Sequence, residues 1–130
     1  MLKNHRWFVL ILLALLLYLG TQSLSPVPIL PEKRCLIAEG VVSDINADGH
    51  DIFITLNDNS KRFYINRGLD KDLDVENLIE KLKGKKINLK YPSYWTPLDP
   101  LSHTRHLSKV EYRDSVWYSE LREDQNSFKH

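Results

Sequence analysis

Cysteine, glycine and net charge are all scarce in this chain. Cys35 is the single cysteine among 130 residues, so no internal disulfide can form and any bridge would have to join two chains. Glu32-Lys33-Arg34 stand before it instead of small and apolar residues, which is not the setting of a lipid-modified cysteine. An idle or buried thiol is the plainer reading. The charge balance is close to even, with 18 basic and 17 acidic side chains. Setting aside Lys3 and Arg6, which precede an apolar run, reduces the 18 to 16 and gives a net charge of −1. Such a surface lacks the basic face that phosphate backbones require, so the balance opposes nucleic-acid binding.

What the sequence does have begins with "WFVLILLALLLYL". This stretch, Trp7 to Leu19, is an unbroken run of 13 apolar residues. Two readings of residues 1–24 lead, ahead of a buried helix. A cleaved signal has a basic start, an apolar stretch of about 7–15 residues and small residues before the cut. Thr21-Gln22-Ser23 supplies the small residues, with Leu24 as the new terminus. A retained anchor needs about 20 mainly apolar residues, which the run reaches only by extending through Gly20 to Leu24. If uncleaved, residues 7–19 would sit in the membrane. Both readings put the remainder on the same side. Lys3, Arg6 and the terminal amine hold the start in the cytoplasm, and the rest is sent to the periplasm or cell envelope, either secreted or held by a single span. Residues 25–34 follow, with Pro26, Pro28 and Pro31, and read as a semi-rigid spacer.

Residues 35–120 carry the domain. "LIAEGVVSDI" predicts a β-branched strand bent at Gly40, ending at an Asp48-Gly49 hairpin. "DIFITLN" alternates Ile52, Ile54 and Leu56 with Phe53 and Thr55, and "KRFYIN" alternates Phe63 and Ile65 with Arg62, Tyr64 and Asn66. The period then changes. Val75, Leu78, Ile79 and Leu82 predict a short amphipathic helix, with Asp74 as its N-cap, Leu73 and Leu78 as its staple and Gly84 as its stop. "KKINLKY" returns to alternation. "LSKVEYRDSVWYSE" reads as a hairpin about Arg113-Asp114, with Val110, Val116 and Tyr118 inward and Trp117 outward. A helix through Leu107, Val110, Trp117 and Leu121 is the alternative. Residues 121–130 read as a polar, mobile tail.

Three strands, a helix, then further strands: the order over Leu36 to Tyr118 resembles the OB-fold. "LKGKKINLKY" is similar to the helix-to-strand join common in such barrels. The resemblance implies a mainly β domain, a five- or six-stranded Greek-key barrel with one short helix between strands 3 and 4, preceded by the N-terminal hydrophobic helix. It also implies a ligand face on strands 2 and 3, and places "KYPSYWTPLDPLSHTRH", residues 90 to 106, in the binding loop between strands 4 and 5. The tail of the chain is also similar to small bacterial envelope proteins, a similarity that supplies no activity.

The chemical motifs are thin. Asp44, Asn46, Asp48 and Gly49 match the first half of a calcium loop, but Thr55 stands where the closing glutamate should be. His103 and His106 offer two imidazoles where a zinc site needs three or four ligands, so no metal and no cofactor is assigned. Anchored haem chaperones with OB-like barrels attach haem through a histidine followed four residues later by tyrosine, and no histidine here has that partner. Ser102 and His103 are adjacent rather than oriented for proton transfer. The expectation is therefore a binding or assembly module and not an enzyme. Its site would be Phe53, Arg62, Tyr64 and Asn66, with Tyr94, Trp95, Arg105 and His106 closing over the edge, and its partner an envelope protein or a glycan. Aromatic and Arg anchors of this kind dominate binding hot spots. Two rivals stand: a metal-dependent enzyme or metal carrier built on His103, His106 and nearby carboxylates, and an accessory subunit of a membrane complex acting through its N-terminal helix.

Overall fold

The computed structural model describes residues 2–24 and 26–125. Helix α1 spans Leu2–Leu24. Within it, Asn4–Leu24 is a stretch of 21 residues with mean hydropathy 2.0, none of it buried against the rest of the chain. That is long and apolar enough to cross a bilayer. A buried core helix is excluded, because Trp7, Phe8 and the leucines that follow are exposed. The segment fits a signal peptide or a single membrane anchor.

The remainder is mixed α/β. Strands β1 (Leu36–Asp48), β2 (Asp51–Leu56) and β3 (Arg62–Ile65) precede α2 (Val75–Leu82). Then come β4 (Lys86–Tyr91), β5 (Thr104–His106), β6 (Lys109–Tyr112), β7 (Ser115–Ser119) and a one-turn α3 (Arg122–Gln125). The strands form one seven-stranded mixed sheet in the order β5-β3-β2-β1-β4-β6-β7. It is open, with β5 and β7 at its ends. The expected five- or six-stranded Greek-key barrel is corrected to this open sheet, and the physical reason lies in residues 104–112. Leu107 and Ser108 interrupt what would be one closing strand. Its first half pairs in parallel with β3 and its second half antiparallel with β4. Leu107 N–H donates to Tyr64 O at 2.8 Å and Ser108 N–H to Lys90 O at 2.8 Å, so the break is where the chain changes partner.

β1 is long because it serves two neighbours. Leu36 to Val41 pair with β4, and Val42 to Asp48 pair with β2. The register shifts between Val42 and Asp44, so the irregularity falls at Ser43, three residues beyond the expected bend at Gly40. Ser43 Oγ donates to Thr55 O at 3.0 Å, which stitches the bend across the ladder. Gly49, at φ +64°, opens the two-residue turn into β2; that conformation is cheap only without a Cβ.

Ile52, Ile54, Leu56, Phe63 and Ile65 form the inner face of β2 and β3, as their alternation predicts. The predicted helix is α2. Asp74 Oδ1 accepts from Glu76 N at 3.0 Å, Leu78 and Leu82 enter the core, and Leu73 packs against it. Gly84, at φ +80°, ends the helix and donates to Val42 O at 2.9 Å. The end of α2 is thereby tied to the bend in β1.

The last hairpin forms about Arg113-Asp114, and the helical alternative is excluded. Its facing differs from expectation. Val110 pairs with Tyr118 but Glu111 pairs with Val116, leaving Trp117 as the extra residue of a bulge. A bulge reverses alternation locally. Val116 is therefore exposed, while Trp117 packs against the core. Leu121 is buried and Asp124 Oδ2 accepts from Ser119 Oγ at 2.6 Å, so the chain is docked through that point. The rest of the expected tail, residues 126–130, lies outside the described residues.

The Pro-rich stretch is also docked. Glu32, in a short turn of 3-10 helix, is ion-paired with Lys90 and accepts from Lys109 Nζ at 3.1 Å. Those two lysines hold the Glu32 carboxyl below the usual range.

Candidate binding face and loop

Four of the eight expected site residues, Phe53, Arg62, Tyr64 and His106, share the outer face of β2, β3 and β5. Phe53 and Tyr64 are cross-strand partners with ring centroids 5.7 Å apart. The Arg62 guanidinium lies 3.6 Å from the Phe53 centroid, a cation–π contact. Tyr64 meets the edge of His106 at 5.5 Å. Burial pushes the Tyr64 hydroxyl well above its usual range, with the Tyr94 phenol adding to the effect; it is a neutral group at physiological pH. Asn66 lies past the end of β3, exposed, and takes no part in these ring contacts.

Arg105 and His106 depart from the expectation that both close over the edge. Adjacent strand residues point to opposite faces, and register puts Arg105 opposite Phe63 but His106 opposite Tyr64. Both are buried, at 3% and 5% exposure. Arg105 Nη1 donates to Tyr94 O at 2.7 Å, Nε donates to Thr104 O at 3.1 Å, and the guanidinium stacks 4.3 Å from the Tyr94 ring centre. Its Nη2 lies 3.6 Å from the Asp99 carboxylate and makes no hydrogen bond among the described residues. Asp99 in turn accepts from the backbone N–H of His103 at 3.0 Å and of Thr104 at 2.8 Å. Burial pushes the Asp99 carboxyl up, but these donors and Arg105 outweigh it and leave it below its usual value. This network folds the loop onto β5.

His106 Nε2 lies 2.8 Å from both carboxylate oxygens of Glu120, and Ser108 Oγ donates to Oε1 at 3.2 Å. Sequence reasoning missed this trio, since Glu120 is paired through tertiary packing and no local spacing announces it. Serine, histidine and carboxylate side by side suggest a nucleophilic centre. Here both Ser108 and His106 address the carboxylate, so no imidazole stands ready to take the serine proton. Ser108 is also fully buried. Cys35 lies nearby, and burial pushes its thiol up, away from the reactive thiolate. The cluster is built as a clamp. For metal binding, no group of three histidine, cysteine or carboxylate side chains converges among the described residues. His103 is exposed and His106 is engaged by Glu120.

Tyr94 and Trp95 do form a recess. A groove of about 500 Å³ runs between the end of α1 and the sheet. Tyr64, Tyr94, Trp95 and Leu98 line one side. Gln22, Ser23 and the Pro26-Val27-Pro28 segment line the other. Trp95 Nε1 donates across the loop to Pro100 O at 3.2 Å, which fixes the ring while leaving it 52% exposed. The groove thus keeps three of the expected residues, Tyr64, Tyr94 and Trp95, and adds the Pro-rich segment, whose place beside them no sequence signal indicated. The chain matches no protein-family model, no curated protein and no solved structure.

Proposed function

We propose that this protein is an extracytoplasmic binding or assembly module, held at the membrane by α1 and recognising an envelope protein or a glycan through the groove of Tyr64, Tyr94 and Trp95. One observation carries the reading: an aromatic recess fixed by its own hydrogen bonds and ion pairs, with Trp95 braced yet half-exposed at its rim. A pre-formed aromatic site loses little entropy on docking, and flat rings suit both sugar faces and protein side chains. The order of three strands, a helix and further strands is the feature that favours an OB-like reading of the domain, with residues 104–112 taken as a divided fifth strand. In that pattern the face of strands 2 and 3 and the loop between strands 4 and 5 bind ligand. The length of α1 favours retention of the helix as an anchor over cleavage.

The test is crosslinking in native cells followed by purification and mass spectrometry. Wild type is compared with a Tyr94→Ala, Trp95→Ala variant of matched melting temperature. A protein or glycan captured by wild type and lost from the variant is the expected result. Capture retained by both would move the function elsewhere. A second reading, an accessory subunit working through its helix, draws on the exposed side chains all around α1. Replacing residues 7–19 with a cleavable signal would abolish that function and spare a soluble binder.

A further inference from the structure

We propose that the tip of the loop over residues 94–101 inserts into the lipid interface beside the point where α1 leaves the membrane. The inference rests on α1 being retained as an anchor. Three large apolar side chains crowd this tip, and among the described residues nothing covers them: Trp95 is at 52%, Leu98 at 76% and Leu101 at 74% exposure. Their position is tied to the membrane by the groove, because Trp95 and Leu98 line it together with Gln22 and Ser23, the last polar residues of α1. A bilayer crossed by Asn4–Leu24 has its surface at that end of the helix.

The loop is also discharged for this role. Asp99 is the only charged side chain between Pro92 and Ser102. Its carboxylate turns inward to the backbone of His103 and Thr104 and to Arg105, so no charge is presented to lipid. The Trp95 indole N–H is satisfied within the loop by Pro100 O, removing the cost of burying a bare donor. Tryptophan is the residue type that membrane interfaces favour. The insertion would fix the domain at the surface as a second contact beside α1; Trp95 and Leu98 would then meet lipid, leaving Tyr64 and Tyr94 as the groove's ligand-facing rings.

The test uses the full chain in phosphatidylethanolamine–phosphatidylglycerol vesicles whose acyl chains carry bromine near the headgroup. A Trp7→Phe, Trp117→Phe chain leaves Trp95 as the reporter, and a Trp7→Phe, Trp95→Phe chain reports from Trp117. Both should float with the vesicles, with Trp95 quenched about threefold more than Trp117 and emitting at shorter wavelength. Adding Leu98→Asp and Leu101→Asp to the Trp95 reporter should remove most of that quenching without loss of flotation. Flotation with Trp95 quenched no more than Trp117 overturns the insertion alone. Failure to float overturns the anchor and the insertion with it.

Discussion

The β2–β3 hairpin and the segment from Pro92 to His106 lie against one another yet are built on different principles. In the hairpin, burial follows a period of two, and each inner side chain is apolar. Its structure can be derived residue by residue from the alternation. In the segment, two residues that look equally suited to a surface, Trp95 and Arg105, have opposite fates. Trp95 stands half out in solvent, while Arg105 is drawn under the loop by Tyr94, Thr104 and Asp99. A hairpin is specified by its pattern, whereas a loop is specified by where its polar groups find partners. The result is a division within one segment: Tyr94 and residues 99 and 103–106 hold it to the sheet, and residues 95–98 and 101 are left to meet something else.

The largest break in that comparison should come from the hairpin. Phe63→Ala removes a fully buried ring and should cost about 3–5 kcal/mol, read by urea denaturation. In the segment, Asp99→Ala strips the acceptor from two backbone N–H groups and the partner from Arg105. It should cost about 2 kcal/mol and increase protease nicking between residues 92 and 103. Acid should act on the same joints. Glu32, Asp99 and Asp124 all have folded carboxyl groups held below their usual values. Their contribution is therefore full above the ordinary carboxylate range and is lost as pH falls through the folded values, so melting temperature should be flat above about pH 5 and drop below pH 4. Asp99→Ala should flatten part of that drop. Smallest is Lys86→Ala, which removes an exposed pair with Glu39 at 3.1 Å and should change stability by less than about 0.5 kcal/mol.

The same contrast explains what could be read from the sequence. β2, β3, α2 with its Asp74 cap, and β4 were legible because local periodicity decides them. The facing of Val116 and Trp117 was not, since a one-residue bulge reverses alternation and leaves no mark in composition. The open sheet was not, because the partner change at Leu107-Ser108 depends on where β3 and β4 lie in space. Tyr64, Tyr94 and Trp95 could be picked out as residue types suited to a recess. That Arg105 belongs to the scaffold follows from its register opposite Phe63, and that His106 does follows from Glu120. The docking of the Pro-rich segment through Glu32 joins residues far apart in sequence, Lys90 and Lys109, and no local signal encodes it.

The most direct measurement is a paired thermal melt of the full chain carrying either His106→Ala or Trp95→Ala. His106→Ala removes the imidazole that faces both carboxylate oxygens of Glu120 and leaves it the weaker Ser108 donor at 3.2 Å; a loss of about 3 kcal/mol should lower the melting temperature by about 15 °C. Trp95→Ala, at the half-exposed rim of the groove, should shift it by no more than about 3 °C, leaving the residue free for binding. Equal and large losses from both would contradict the division and make Trp95 part of the scaffold, removing the groove's chief claim to be a binding site.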